Sequence, residues 1–316
     1  MMVRRRLLLV VPLLCPLLGV MPALGQPTDT RLAFYFRPEP RSTIAYDVTE
    51  GEKSWGGAKL RSYLKWRHTL TLALGEPDGE VWPATLTISD IRIEEGEGSS
   101  LFLTLARIAE GRPRAVRLDR RGGFVQEVVD WPNVKAELKR ALSTRISADE
   151  ALLMPDVLDR LDVVRGANAF GPTLSLISGG YAMGMRPDGA PVTSENWQGG
   201  SAYVLPAGRT LTSRLAGYDR TSGIAAVDWS IATDPAVAAR HLGPEFRSLL
   251  AGGSGPDVAR ARSELEKALA GGAVALEENG QVAYEMRRRF ITRYGSRLKI
   301  EVGPFRKERG IFAKAM

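Results

Sequence analysis

The sequence predicts an α+β protein, predominantly antiparallel β, with two related curved-sheet halves and helices inserted between them and packed on one face. Three observations predict it. Apolar and polar residues alternate strictly along stretches near both ends of the chain, and helical spacing is confined to blocks between those stretches. A short phrase, Leu118–Val128 (LDRRGGFVQEV), also has an echo at Leu276–Met286 (LEENGQVAYEM). Each phrase runs apolar, acidic, two polar residues, then a glycine before an apolar-rich stretch. Read as β-hairpins, the two phrases are turn chemistry, with Gly122 or Gly123 and Gly280 supplying the positive φ that tight turns need.

The first 25 residues read as a secretory signal peptide. Arg4, Arg5 and Arg6 form a basic start, and Leu7 to Val20 form an apolar run broken by prolines. Ala23-Leu24-Gly25 then offers a small-residue cleavage site. An uncleaved anchor is the alternative. Cleavage after Gly25 would remove Cys15, the only cysteine, so the mature chain would have no disulfide, thiolate metal site or cysteine nucleophile. It would also lower the formal charge from +7 to +4, because three arginines leave with the signal. That is a mildly basic surface without the footprint of a nucleic-acid binder, and no nucleic-acid partner is expected. No P-loop or dinucleotide fingerprint is present, no cofactor is expected, and no transmembrane span remains after cleavage.

Residues 31–131 read as an N-terminal β-meander half. In LKWRHTLTLAL, the residues Leu64, Trp66, His68, Leu70, Leu72 and Leu74 share one face. Ile44, Tyr46 and Val48 do the same. Leu86 and Ile88 fall out of step with Ile91 and Ile93, which predicts a bulge or bend near Ser89-Asp90. The run Ser100–Gly111 (SLFLTLARIAEG) reads as a further apolar strand, with turns at Pro77-Asp78-Gly79 and Gly96-Glu97-Gly98.

Residues 132–180 read as a helical connection. Pro132 suits a first helical turn, and Val134, Leu138 and Leu142 follow on one face. Ser147 and Glu150 form a capping box for a second helical piece reaching toward Val164. Residues 181–316 read as a C-terminal β half with two inserted helices. It opens with a glycine- and proline-rich surface loop at Tyr181–Gly200. A hairpin follows around Asp219–Gly223, in which Ala225, Val227, Trp229 and Ile231 share a face. Asp234-Pro235 and Pro256-Asp257 start the helices. Val258, Ala261, Leu265 and Leu269 form a stripe on the second, which Gly271 ends.

In this order (LDRRGGFVQEV, a helical stretch, Pro187–Trp197, LTSRLAGYDRTSGIAAVDW, LEENGQVAYEM), residues 43–302 resemble secreted bacterial proteins of uncharacterised function built as duplicated β-meanders. The resemblance implies an envelope location and a curved sheet with helices on one side, similar at fold level to periplasmic lipoprotein- and lipid-carrying half-barrels. It brings no catalytic residue.

Candidates for chemistry are few. His68 lies on an apolar strand face and reads as a core histidine; His241, in AARHLGPEF, reads as a helix-terminal residue. Neither has metal-ligand spacing. Gly252–Pro256 (GGSGP) lacks the spacing of a nucleophile elbow and reads as a linker between helices. Asp119 and Glu277, or Glu94, Glu95 and Glu97, are the carboxylates a glycosidase would use, but they read as solvated turn residues. No catalytic residue and no metal site is expected. The ligand-binding candidates are Arg287, Arg289 and Arg293, expected on one side of a strand with Met286, Phe290 and Tyr294 opposite, together with Trp66 and Trp229 on the apolar faces. The expected function is that of a secreted or periplasmic, non-catalytic envelope protein binding a lipid, another amphiphile or an envelope protein. The alternatives are a carboxylate-dependent hydrolase and a structural subunit of a periplasmic assembly.

Overall fold

A computed structural model describes residues 32–56, 59–97, 100–143, 177, 179–197, 208–251 and 255–316. The proposed signal peptide, the helical piece at 147–164 and residues 172–176 of the connection lie outside these. The described elements are β1 (Leu32–Ala33), β2 (Thr43–Gly56), β3 (Lys59–Leu74), β4 (Val81–Glu97), α1 (Leu101–Ala109), β5 (Arg114–Asp119), β6 (Val125–Val128) and α2 (Trp131–Ser143). There follow a 3-10 turn (Gly180–Ala182), β7 (Gly184–Met185), β8 (Val192–Glu195), β9 (Arg209–Asp219) and β10 (Ile224–Thr233). Helices α3 (Pro235–Ala251) and α4 (Pro256–Ala270) precede β11 (Val274–Glu285), β12 (Phe290–Val302) and β13 (Phe305–Ala315).

Eleven strands form one sheet in the order β6-β5-β4-β3-β2-β13-β12-β11-β10-β9-β8, and β1 and β7 form a separate pair. Every strand pairing in the large sheet is antiparallel. The order describes two meanders, β2 to β6 and β8 to β13, joined where β13 pairs with β2 from Phe305↔Gly56 to Ala315↔Tyr46.

The alternation read from the sequence is the alternation that buries the sheet. Leu64, Trp66, His68, Leu70, Leu72 and Leu74 are all buried, as are Ile44, Tyr46 and Val48, and Ala225, Val227, Trp229 and Ile231. The bulge in β4 is also present. Arg67 pairs with Arg92 and Thr69 with Ser89, so Asp90 and Ile91 together face His68, and Asp90 takes φ 58°.

The sheet is bent round on itself. The backbone N–H of Phe36 donates to the carbonyl of Arg121 in the β5–β6 turn (2.7 Å), and the next N–H, of Arg37, donates to Arg289 in the β11–β12 turn (3.0 Å). Consecutive backbone nitrogens lie under about 4 Å apart, so those two carbonyls stand within about 10 Å of each other. In the sheet order β5 and β12 are five strand spacings apart, about 24 Å across a flat sheet. The segment Phe34–Arg37 therefore draws the two meanders together at this end. Its side chains fill the gap: Phe34 stacks on Tyr284 with centroids 4.2 Å apart, and Phe36 meets Trp82 and Tyr181 edge-on. Tyr181 completes the closure by accepting the N–H of Ile291 at its hydroxyl (2.7 Å).

Helices cover the buried face. On α2, Val134, Leu138 and Leu142 enter the main core as their spacing predicts. On α3, the Asp234 carboxylate caps the first turn by accepting the N–H groups of Ala236 and Val237. Of the predicted stripe on α4, Leu265 is buried and Leu269 partly so; together with Ala268 they lie over β11 and β12 in a second cluster with Leu242, Leu276 and Ile300.

Four readings are corrected. Leu101–Ala109 is a helix, not a strand: the Ser100 hydroxyl caps it by accepting the N–H of Leu103, and Leu105, Ile108 and Ala109 form its core face. A short, mostly apolar run, interrupted here only by Thr104 and Arg107, looks much the same in either conformation. Tyr181–Gly200 is more than a surface loop, since β7 and β8 lie in it and Tyr181, Met183, Met185 and Val192 are buried. His241 sits exposed in the middle of α3 rather than at its end. Finally, Leu118–Val128 is a hairpin with Gly123 at φ 63°, but Leu276–Met286 is not. There β11 runs straight through Gly280, and the need for glycine is steric. A Cβ at Gly280 would stand 2.1 Å from the Gly295 carbonyl oxygen and 2.7 Å from the Trp229 ring.

Gly280→Ala should therefore cost stability although alanine suits a strand no worse than glycine. We expect a loss of about 1–3 kcal/mol in urea unfolding, the range for overpacking a filled core. A change under about 0.5 kcal/mol would show that the Gly295 backbone and the Trp229 ring both move aside freely.

Candidate functional site

Two transverse rows on the inner face mix charge with apolar residues. The register aligns Leu64, Glu52, Arg309, Leu298, Glu278, Ile231 and Leu211 across seven strands, from β3 to β9. The adjacent row holds Trp66, Glu50, Ile311, Ser296, Gly280, Trp229 and Ser213. Arg209 lies two residues before Leu211 on β9, and His68 two residues after Trp66 on β3. Glu50, His68, Arg209, Glu278 and Arg309 are all buried.

These groups are arranged as ion pairs. The Arg309 guanidinium donates to Glu50 Oε2 at 2.6 Å, and its Nε stands 3.9 Å from Glu52 Oε1. His68 Nε2 is 3.9 Å from Glu50 Oε1. Farther along the belt, Arg209 faces Glu278 at 3.8 Å. Burial lowers the pKa of His68 below the usual histidine value, and the attraction of Glu50 only partly offsets this. Burial likewise lowers that of Arg209 and raises that of the Tyr294 phenol, which has Glu278 near it.

The belt is a boundary between apolar clusters. On one side lies the main core; on the others lie the cluster beneath α3 and α4 and a small one of Leu64, Trp66 and Leu103 beneath α1. Among the described residues, Trp66 Nε1, Trp229 Nε1 and Arg209 Nη1 are buried at the belt without a hydrogen-bond acceptor. Buried donors are almost always satisfied, so these three call for an acceptor.

The sequence-predicted residues do not form one site. Trp66 and Trp229 do stand on one row of the inner face, five strand spacings apart in the order, and both are buried. Arg287 and Arg289 lie in the β11–β12 turn rather than on a strand, and only Arg293 lies on β12. The expected single strand face of three arginines is thus broken by the turn, in which Arg289 takes φ 58°. Asp119 and Glu277 are also apart. Asp119 lies at the end that Phe34–Arg37 draws together, where its Oδ1 accepts the N–H groups of Arg121 and Gly122. Glu277 stands eight residues before the end of β11, about 26 Å along the strand from that turn. Among the described residues no cluster of three or more metal-ligating side chains occurs.

Glu50, Glu52, Glu278, Arg209 and Arg309 escaped the sequence reading, yet a signal for them exists. Each has the parity of the buried residues of its own strand: Glu50 and Glu52 follow Tyr46 and Val48, Glu278 lies between Leu276 and Val282, Arg309 precedes Ile311 and Ala313, and Arg209 precedes Leu211.

No family model matches the chain, and no curated protein matches it. Among solved structures it is similar to a chain described under "lipid-protein interactions in lipovitellin", at 9% sequence identity and a TM-score of 0.46. The match covers 89% of this chain and 25% of the other, so this chain spans a quarter of that one's length.

Two outcomes are expected of the belt. Arg309→Met should destabilise by about 3–5 kcal/mol, because it strands Glu50, whereas Arg309→Met with Glu50→Leu should recover most of that loss; equal losses in denaturant melts would deny the coupling. For His68, the folded pKa lies below the unfolded value of 6.5. The unfolded chain therefore binds the extra proton first as pH falls. The stability that His68 contributes is full above pH 6.5 and is lost as pH drops below it toward the folded pKa. His68→Asn should flatten that part of the stability–pH profile, and an unchanged slope between pH 7 and 5 would contradict it.

Proposed function

We propose that this chain is a secreted, non-catalytic envelope protein that binds an amphiphile on the inner face of its sheet. The observation that carries the reading is the belt, where Trp66, Trp229 and Arg209 bury donors that lack acceptors among the described residues, set between separate apolar clusters. Buried charges are a poor source of stability, since apolar residues of similar size often serve as well. Arg309 and Glu50 satisfy each other across the seam, whereas Arg209 and the two indoles are better matched to a ligand than to the sheet. A molecule with an acceptor-bearing polar group, a carboxylate, phosphate or ester, would meet Arg209 and the Trp229 indole. Its hydrocarbon part would lie along the neighbouring clusters. The secretory signal read at residues 1–25 supports an envelope location for such a binder. The hydrolase reading is weaker, because Asp119 and Glu277 stand toward opposite ends of the strands.

Native mass spectrometry of the mature protein from its own source, followed by solvent extraction, should reveal a bound amphiphile. A fluorescent fatty acid should bind the emptied protein, and Arg209→Met should weaken it by about tenfold or more, the worth of one charge-assisted hydrogen bond. A bare mass, no fatty-acid binding and co-purifying protein subunits would favour the structural-subunit reading instead.

A further inference from the structure

The inner-face reading leaves a second charged feature without a role, on a different surface. Three turns converge where Phe34–Arg37 closes the sheet. Phe36 and Arg37 tie the β5–β6 turn to the β11–β12 turn, and the N–H of Met286 donates to the carbonyl of Gly223 in the β9–β10 turn (2.9 Å). The closed end thereby gathers Arg37, Arg120, Arg121, Arg220, Arg287, Arg288 and Arg289.

Carboxylates share this end, among them Glu39, Asp78 and Glu76, which pairs with Arg41 at 2.8 Å, so the basic character rests on the arginines left unpaired. The carboxylates of Asp119 and Asp219 are taken up by their own turns, accepting from Arg121 and Gly122 N–H in one and from Thr221 N–H and the Ser222 hydroxyl in the other. Glu80 faces Arg121 at 3.4 Å, and Glu285 faces Arg288 at 3.9 Å. Among the described residues, Arg37, Arg220, Arg287 and Arg289 have no ion-pair partner. Arg289 holds a left-handed backbone conformation that glycine or asparagine adopts more cheaply, so the chain keeps an arginine there against local preference.

Apolar side chains stand exposed among these cations. Tyr35 is 48% exposed with the Arg37 guanidinium over its ring, Phe124 is 44% exposed in the β5–β6 turn, and Met286 is 48% exposed in the β11–β12 turn. They are single side chains on separate turns and the adjoining segment, without the continuous apolar centre a protein interface uses. Arginines interspersed with isolated aromatic and apolar tips suit a bilayer surface, where cations meet phosphates and apolar tips enter between headgroups.

We propose that this closed end docks onto the surface of a membrane containing anionic phospholipids. Docking uses the rim of the sheet and is independent of any ligand held inside.

The test is co-sedimentation of the mature chain with phosphatidylcholine vesicles, with and without phosphatidylglycerol, at low and high salt. Binding should require phosphatidylglycerol and weaken with salt. Arg287→Ser with Arg288→Ser and Arg289→Ser should reduce it about a hundredfold, while fatty-acid binding by the inner face stays unchanged. Should that variant fold poorly by circular dichroism, Arg37→Ser with Arg220→Ser removes two cations outside the strand pairings and should cost about thirtyfold. Phe124→Ser with Met286→Ser should weaken binding while leaving its salt dependence intact. Equal binding to neutral vesicles, no binding to anionic ones, or undiminished binding by a folded arginine variant would overturn the proposal. Soluble polyglutamate that outcompetes the vesicles would overturn it in favour of an acidic protein partner.

Discussion

The pairing of β13 with β2 is the constraint on which the rest of the molecule depends. Without it the chain is two separate meanders, each with an open edge where the other should be. With it, eleven strands become one surface, and the inner-face residues of both meanders join a single core running from Val116 and Leu118 on β5 to Leu211 on β9. The contact that marks this seam is the buried bond from Arg309 to Glu50, made by residues 259 positions apart in sequence. Its ionic partners fit only when the two strands are in register. A slip of one residue would turn Arg309 to the outer face and bring Glu308 or Gly310 to its inner-face position. A buried pair of this kind adds little net stability, but it penalises the wrong alignment heavily.

Much of the fold was legible because it is written locally. Period-two alternation located the buried faces of β2, β3 and β10, and the odd step in β4 located a real bulge. Asp234-Pro235 and Pro256-Asp257 located two helix starts. What failed was ambiguous for physical reasons. Leu101–Ala109 is apolar apart from Thr104 and Arg107, too few polar positions to set a period, so the Ser100 cap and the helix's position against β4 decide its form. Gly280 resembles a turn glycine in its own neighbourhood, and the reason it is glycine is the Trp229 ring on the next strand. The joining of the meanders was invisible in the same way, since nothing near residues 305–315 names β2 as their partner.

The candidate site was less legible than the fold. Trp66 and Trp229 were picked out as inward-facing and are so, but the charges between them were passed over because charge on a strand usually means the solvent side. Parity with neighbouring apolar residues was the available clue, and it is decisive only once the two meanders are known to share a face. The arginines near residue 288 were seen as a group, yet their setting depends on Phe34–Arg37, a segment some 250 residues earlier. Both features are products of closure.

The seam also has a consequence in time. Residues 305–315 occupy the middle of the sheet, although they are made long after β2. While a ribosome is still delivering the intervening chain, the edge of β2 that β13 will occupy has no native partner. That edge is fourteen residues long, and its first part alternates Ile44, Tyr46 and Val48 with polar or small residues, a pattern that invites pairing with other chains. High sequence separation between contacting strands also slows closure of the sheet. This architecture therefore gives the cell a long interval in which the nascent chain needs shielding, and it makes the emergence of β13 the step that permits the native sheet to form.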